Sequence, residues 1–145
     1  MNLLSIRGME VLSTESTFKK KAPVLSTERV SLGRLCEKLA EAYLRKKGWF
    51  VCQRNVRFRT GEIDLIALDE SSGQNWIVEV RGRRESPRKA AHWLSPSKVF
   101  RLRKLAEIMS QKTGRLHRVL FIQVELKKGR EEVPQFKEFE IRADE

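Results

Sequence analysis

The apolar positions along the chain change period several times, and each change marks an element. After Ser31, a residue suited to N-capping, Leu32, Leu35, Cys36, Leu39, Ala40 and Tyr43 recur three or four apart until Gly48, which predicts a helix with a glycine stop. Trp49 to about Phe58 is rich in aromatic and β-branched residues and reads as a strand, with Thr60-Gly61 as the turn beyond it. Gly61 to Leu68 and Trp76 to Arg81 read as two more strands. The residues between them, Asp69 to Asn75, are dense in turn formers and predict an antiparallel hairpin. Arg84 to Leu94 reads as a basic loop. Ser95-Pro96 then places a cap and a first-turn proline before a second helix carrying Val99, Leu102, Leu105, Ala106 and Met109, closed by Gly114. Val119 to Val124 is almost continuously apolar, as a strand covered on both faces would be, and the helix before it predicts a parallel crossover. The expected architecture is α/β, a mixed sheet with an antiparallel hairpin and a parallel crossover strand, flanked by helices. Gln135 to Ile141, after Pro134, stays open between an edge strand and a loosely attached segment.

Alternation within the hairpin brings out the candidate chemistry. Along a strand, successive side chains point to opposite faces, so Ile63, Leu65 and Ala67 are expected on one face and Glu62, Asp64 and Ile66 on the other. The same rule puts Trp76, Val78 and Val80 together and Ile77, Glu79 and Arg81 opposite. If the hairpin closes with Leu68 facing Asn75, then Ile66 meets Ile77, Asp64 meets Glu79, and Glu62 meets Arg81. Directly opposed Cβ atoms lie about 5 Å apart, where two carboxylates repel each other. Such a pair calls for a shared proton or for a divalent cation between them, and ligation by oxygen alone suits Mg²⁺ or Mn²⁺. The alternative is a solvated face with loose arginine pairing. Against it, Ile66 and Ile77 mark that face as at least half covered, and buried carboxylates are rarely kept without a partner.

Charge extends this reading. The 145 residues carry a formal net charge of +11 and a pI near 10.1, a surplus that favours a polyanionic partner. Nine of the residues from Arg81 to Lys104 are Lys or Arg against the single acid Glu85, and Arg45 to Arg59 adds six cations and no acid. Both segments border the proposed carboxylate pair, so Arg57, Arg59, Arg83, Arg84, Arg88, Lys89, Lys98 and Arg101 are the candidate nucleic-acid contacts. Trp93 could stack on an unpaired base or pack under its loop. Nothing resembles a base-reading helix or finger, which favours recognition of shape or backbone. Apolar content of 40% suffices for a core without staples, and no apolar run reaches the ~18 residues of a membrane span, so no membrane partner is expected. Cys36 and Cys52 form no CxxC pair, which argues against zinc. With no export signal at Met1 to Val11, they suit a reducing cytoplasm as small buried hydrophobes. Residues 1–29, polar and carrying Val-Leu-Ser-Thr-Glu twice, read as a flexible N-terminal arm; residues 30–145 read as the folded domain.

Taken in order, Leu32-Gly33-Arg34, Glu37, Ala40, Tyr43-Leu44, Gly48, Arg54-Asn55, Arg57, Gly61-Glu62-Ile63-Asp64-Leu65-Ile66-Ala67 and Val78-Glu79-Val80-Arg81 with Arg83 resemble the YraN family of bacterial proteins over roughly residues 32–124. The resemblance implies a restriction-endonuclease-like core of the PD-(D/E)XK superfamily, similar to archaeal Holliday-junction resolvases. It further implies a catalytic set of Glu37, Asp64, Glu79 and the residue two beyond Glu79. Asp64 and Glu79 would hold Mg²⁺ or Mn²⁺, the metal would lower the pKa of an attacking water, and a cation would stabilise charge on the phosphate. This chain departs from the family pattern by having Arg81 where the family has Lys. Arginine keeps phosphate binding but cannot give up a proton near neutral pH. Lys98, at the start of the second helix, matches a lysine of the family pattern and could supply an ammonium to the site if the basic loop folds over it. The function expected is a Mg²⁺-dependent endonuclease acting on branched or structured DNA, with DNA ahead of RNA. The alternative is a nuclease-like protein that binds nucleic acid and cuts weakly or not at all. A basic RNA-associated protein is a third reading, in which the carboxylate pair would have no role. Resolvases of this size are two-fold dimers because their substrate has two strands to cut, so a homodimer is also implied.

Overall fold

A computed structural model describes residues 9–11, 16–17, 31–84, 94–127 and 133–143. Helix α1 (Leu32–Lys46) starts where the Ser31 hydroxyl accepts the Arg34 backbone N–H at 3.3 Å. It buries Leu35, Cys36, Leu39, Ala40, Tyr43 and Leu44, the stripe its 3.6-residue period predicts. Helix α2 (Pro96–Thr113) is capped by Ser95, begins with proline, and ends at Gly114 in the left-handed conformation. No helix among the described residues is long and apolar enough to cross a membrane.

Both helices pack on one mixed sheet. Short strands β1 (Met9–Val11) and β2 (Ser16–Thr17) are followed by five long ones, β3 (Trp49–Phe58), β4 (Gly61–Asp69), β5 (Gln74–Arg84), β6 (His117–Lys127) and β7 (Val133–Ile141). The strand order is β1-β7-β6-β5-β4-β3, with β2 also paired to β7. Among the described strands only β5 and β6 run parallel, joined through α2 as a crossover, while the β3/β4, β4/β5 and β6/β7 pairs are antiparallel. The stretch after Pro134 is therefore a full strand, paired to β6 from Val119↔Ile141 to Lys127↔Val133. Two pieces of the N-terminal arm pair with it from the other side.

The sheet separates two apolar cores. On one face α1 covers Leu65, Ala67, Trp76, Val78, Val80, Leu120, Ile122, Val124 and Phe136. On the other, α2 covers Ile63, Ile66, Ile77, Val119, Phe121, Phe139 and Ile141. Helix α1 can approach closely because of Gly82, where an added Cβ would fall 1.9 Å from Cys36 Sγ and 2.6 Å from Cys36 Cβ. The far end of α1 is tied to β7: Tyr43 donates to Glu138 Oε2 at 2.7 Å, and Lys47 Nζ donates to both Glu138 oxygens at 2.6 and 2.8 Å. Of the two cysteines, Cys36 is the buried hydrophobe expected, whereas Cys52 lies exposed on strand β3, whose partner among the described residues is β4.

Candidate metal and phosphate site

The hairpin register is the expected one, with Leu68 opposite Asn75 and Ile66 opposite Ile77, but the ladder ends at Leu65↔Val78. The predicted Asp64–Glu79 and Glu62–Arg81 pairings are thus not ladder pairs; the strands splay immediately before the acids. Asp64 compensates with its side chain, Oδ2 accepting the Val80 backbone N–H at 2.8 Å. A buried amide is thereby satisfied, and the carboxylate is fixed against β5.

The expected alternation also slips at this point. Ile63 and Leu65, predicted on one face, lie on opposite faces: Leu65 packs under α1 and Ile63 under α2. The slip coincides with an irregularity on the neighbouring strand. Asn55 falls opposite Asp64, between the pairs Arg54↔Leu65 and Val56↔Ile63, and has a left-handed φ of 51°. Asparagine tolerates that conformation better than most side chains, and it turns the strand so that Val56 joins Ile63 on the α2 side. Asp64 sits at the crossing point. On β5 the alternation holds: Trp76, Val78 and Val80 lie under α1, and Ile77 lies under α2, the face shared by Glu79 and Arg81.

Glu79 is 3% exposed. One oxygen, Oε1, is approached by two cations, Arg81 Nη2 at 3.3 Å and Lys98 Nζ at 3.4 Å. The other, Oε2, is buried and has no hydrogen-bond donor among the described residues. Burial first, and then the Asp64 charge, push the Glu79 carboxyl up to about 7, against the opposing pull of Lys98 and Arg81. Asp64 is also raised, chiefly by burial and in spite of its bond from Val80. Glu37, half-buried on α1, is raised by burial and then by Asp64 and Glu62, which places it within the same electrostatic cluster.

The structure thus brings Glu37, Asp64, Glu79, Arg81 and Lys98 together across α1, β4, β5 and α2. Other candidates surround them. Arg101 lies against the β3–β4 turn, because a Cβ at Gly61 would be 3.4 Å from its Cδ, and exposed Arg59 is two residues earlier in that turn. Arg57 is exposed on β3 opposite Glu62. Arg83 pairs with Glu125 across the parallel β5/β6 ladder, Nη2 to Oε2 being 2.8 Å, so some of its charge is engaged there. Arg84 ends β5, exposed. Arg88 and Lys89, like His92 and Trp93, lie outside the described residues. Gln123 is an addition to the predicted set: it is buried in register with Arg81 on the α2 side, and no motif in the sequence announces it.

Chemically, the carboxylate pair fits a hard divalent cation. Two carboxyls brought side by side, one buried and raised to about 7 and the other held by a backbone amide, must share a proton or a cation, and a divalent ion can take the place of that proton near neutral pH. Among the described residues no third His, Cys, Asp or Glu completes a ligand cluster. The donor set is therefore two carboxylates, and Mg²⁺, which dehydrates reluctantly, would keep water in its remaining positions.

A mixed α/β sheet between two helices, with an acidic pair at its splayed hairpin, defines the class of protein. The chain belongs to the uncharacterised protein family UPF0102, whose profile matches residues 36–133, in agreement with the family resemblance read from the sequence. Similar proteins include a UPF0102 protein of Corynebacterium efficiens, 35% identical over 65% of this chain and 75% of its own length. A UPF0102 protein of a Marinomonas species is 37% identical over 68% of this chain and 72% of its own. One from Shewanella woodyi is 43% identical over 52% and 63%.

Proposed function

We propose that the protein is a nucleic-acid-binding, Mg²⁺-dependent endonuclease with a restriction-endonuclease-like core, hydrolysing phosphodiesters in branched or structured DNA. One observation carries the proposal: the Asp64/Glu79 pair, Asp64 half-buried and Glu79 buried with two cations at its Oε1, on a chain of net charge +11. Asp64 and Glu79 would hold the ion, with Asp64 oriented by the Val80 amide. When bound, Mg²⁺ or Mn²⁺ supplies a lowered pKa for an attacking water and positive charge for the phosphate. Glu37 adds negative charge beside Asp64 that favours the cation. Arg81, half in water, can bind a phosphate oxygen, and Arg57, Arg59 and Arg101 draw the backbone to this edge of the sheet by counterion release.

A second reading, binding without cutting, is favoured by arginine at position 81. Incubation with linear, flapped and four-way DNA in Mg²⁺ separates the two. The proposal expects cleavage of a branched substrate that Asp64→Ala abolishes. Binding of every substrate with cleavage of none would leave the second reading, and no binding at all would overturn both.

A further inference from the structure

Two cations share Glu79 Oε1, and their surroundings are not alike. Arg81 comes from the same strand as Glu79 and its side chain is 47% exposed, half in water. Lys98 comes from α2, is 18% exposed, and has its Nζ 3.4 Å from the same oxygen. Its backbone is pinned: the Ser95 hydroxyl accepts the Lys98 N–H at 3.2 Å, Pro96 opens the helix, and Val99 and Leu102 beside it are buried in the α2-side core. The ammonium is thus delivered from a fixed helical turn into a covered position, next to a carboxylate only 3% exposed whose second oxygen has no donor among the described residues.

We propose that Lys98, not Arg81, is the catalytic cation of this site, donating to the phosphate oxygen that gains charge as water adds to phosphorus. This rests on the hydrolysis proposed above and assigns its electrostatic role to a residue outside the β5 strand. The bond from the water oxygen to phosphorus forms, and the bond from phosphorus to the leaving sugar oxygen breaks. The proton given up by the water ends on that leaving oxygen through solvent, and Lys98 keeps its own protons. A compact ammonium held away from water acts more strongly on developing charge than a guanidinium at the rim, because solvent screens it less. Arg81 is left to grip a neighbouring phosphate.

The test compares Lys98→Met with Arg81→Met in single-turnover cleavage and in calorimetric titration with Mn²⁺, after their melting midpoints are matched to wild type. Lys98→Gln, which keeps much of the stem, replaces Lys98→Met if the latter melts early. Loss of the Lys98 ammonium should slow cleavage by about 100-fold and loss of the Arg81 guanidinium by under about tenfold. Lys98→Met should also tighten Mn²⁺ more than Arg81→Met does, since it removes the less screened of the two repelling charges. Cleavage that depends more on Arg81, or a larger Mn²⁺ effect at Arg81, would overturn the Lys98 assignment alone. A wild type that cuts nothing would overturn the hydrolysis reading and the catalytic role with it.

Discussion

Glu79 concentrates the physical cost of this site in one side chain. In water a glutamate is ionised well below neutrality, but here burial and the facing Asp64 hold the carboxyl up to about 7. A raised folded-state pKa means that the protonated form favours folding. That contribution is complete below 4.5, the ordinary glutamate value, and is lost as pH rises through about 7. Its size is on the order of 3 kcal/mol, and the raised Asp64 carboxyl acts in the same direction. In chelator, the wild-type melting midpoint should therefore fall between about pH 4.5 and pH 8 relative to Glu79→Gln, whose amide can donate to Asp64 without ionising. Parallel melting curves for the two proteins across that range would show that Glu79 is not held protonated. The acidic pair itself was legible in the sequence, because alternation put both acids beside isoleucines. The role of Lys98 at Glu79 was less so, since sequence places it on a helix but does not say where that helix lies on the sheet.

Elements were legible where period and caps agree, as for α1 with Ser31 and Gly48 and for α2 with Ser95, Pro96 and Gly114. The slip in β4 was not, because it depends on Asn55 of the adjacent strand and on the ladder ending at Leu65↔Val78, both tertiary facts. Strand β7 stayed open for a similar reason: its buried Glu138 and Glu140 look like surface residues until Tyr43, Lys47 and Arg118 are seen to meet them. The contact between Cys36 and Gly82 is of the same kind and has a functional side. By letting α1 rest on β5, it sets Glu37 one residue along the helix within the field of Asp64. Gly82→Ala puts a methyl 1.9 Å from Cys36 Sγ and is expected to cost about 3 kcal/mol of stability. Cys36→Ala should recover some of that loss when the two are combined. Thermal unfolding of the single and double variants measures it, and strictly additive losses would mean that the two residues do not press on each other.

For the whole molecule, the arrangement places cations on both sides of one acidic point. Arg57 lies on β3, Arg59 is in the β3–β4 turn, Arg101 packs against Gly61 at the end of that turn, and Arg81 and Lys98 converge on Glu79. Counting charges along the sequence located this concentration, but not which cations are already engaged: Arg83 is paired with Glu125, Arg118 with Glu140, and Arg54 with Glu41. Such pairing leaves the net charge of +11 unchanged but engages those cations elsewhere, so the ones near the carboxylates make up more of what a polyanion can reach.

The central claim is that Asp64 and Glu79 form a divalent-cation site, and titration calorimetry of Mn²⁺ into the wild type, Asp64→Ala and Glu79→Gln tests it most directly. The expected result is a single site in the wild type, with proton release from the Glu79 carboxyl on binding near neutral pH, and loss of that site in both variants while each remains folded. Equal Mn²⁺ binding by all three proteins, or none by the wild type, would contradict it.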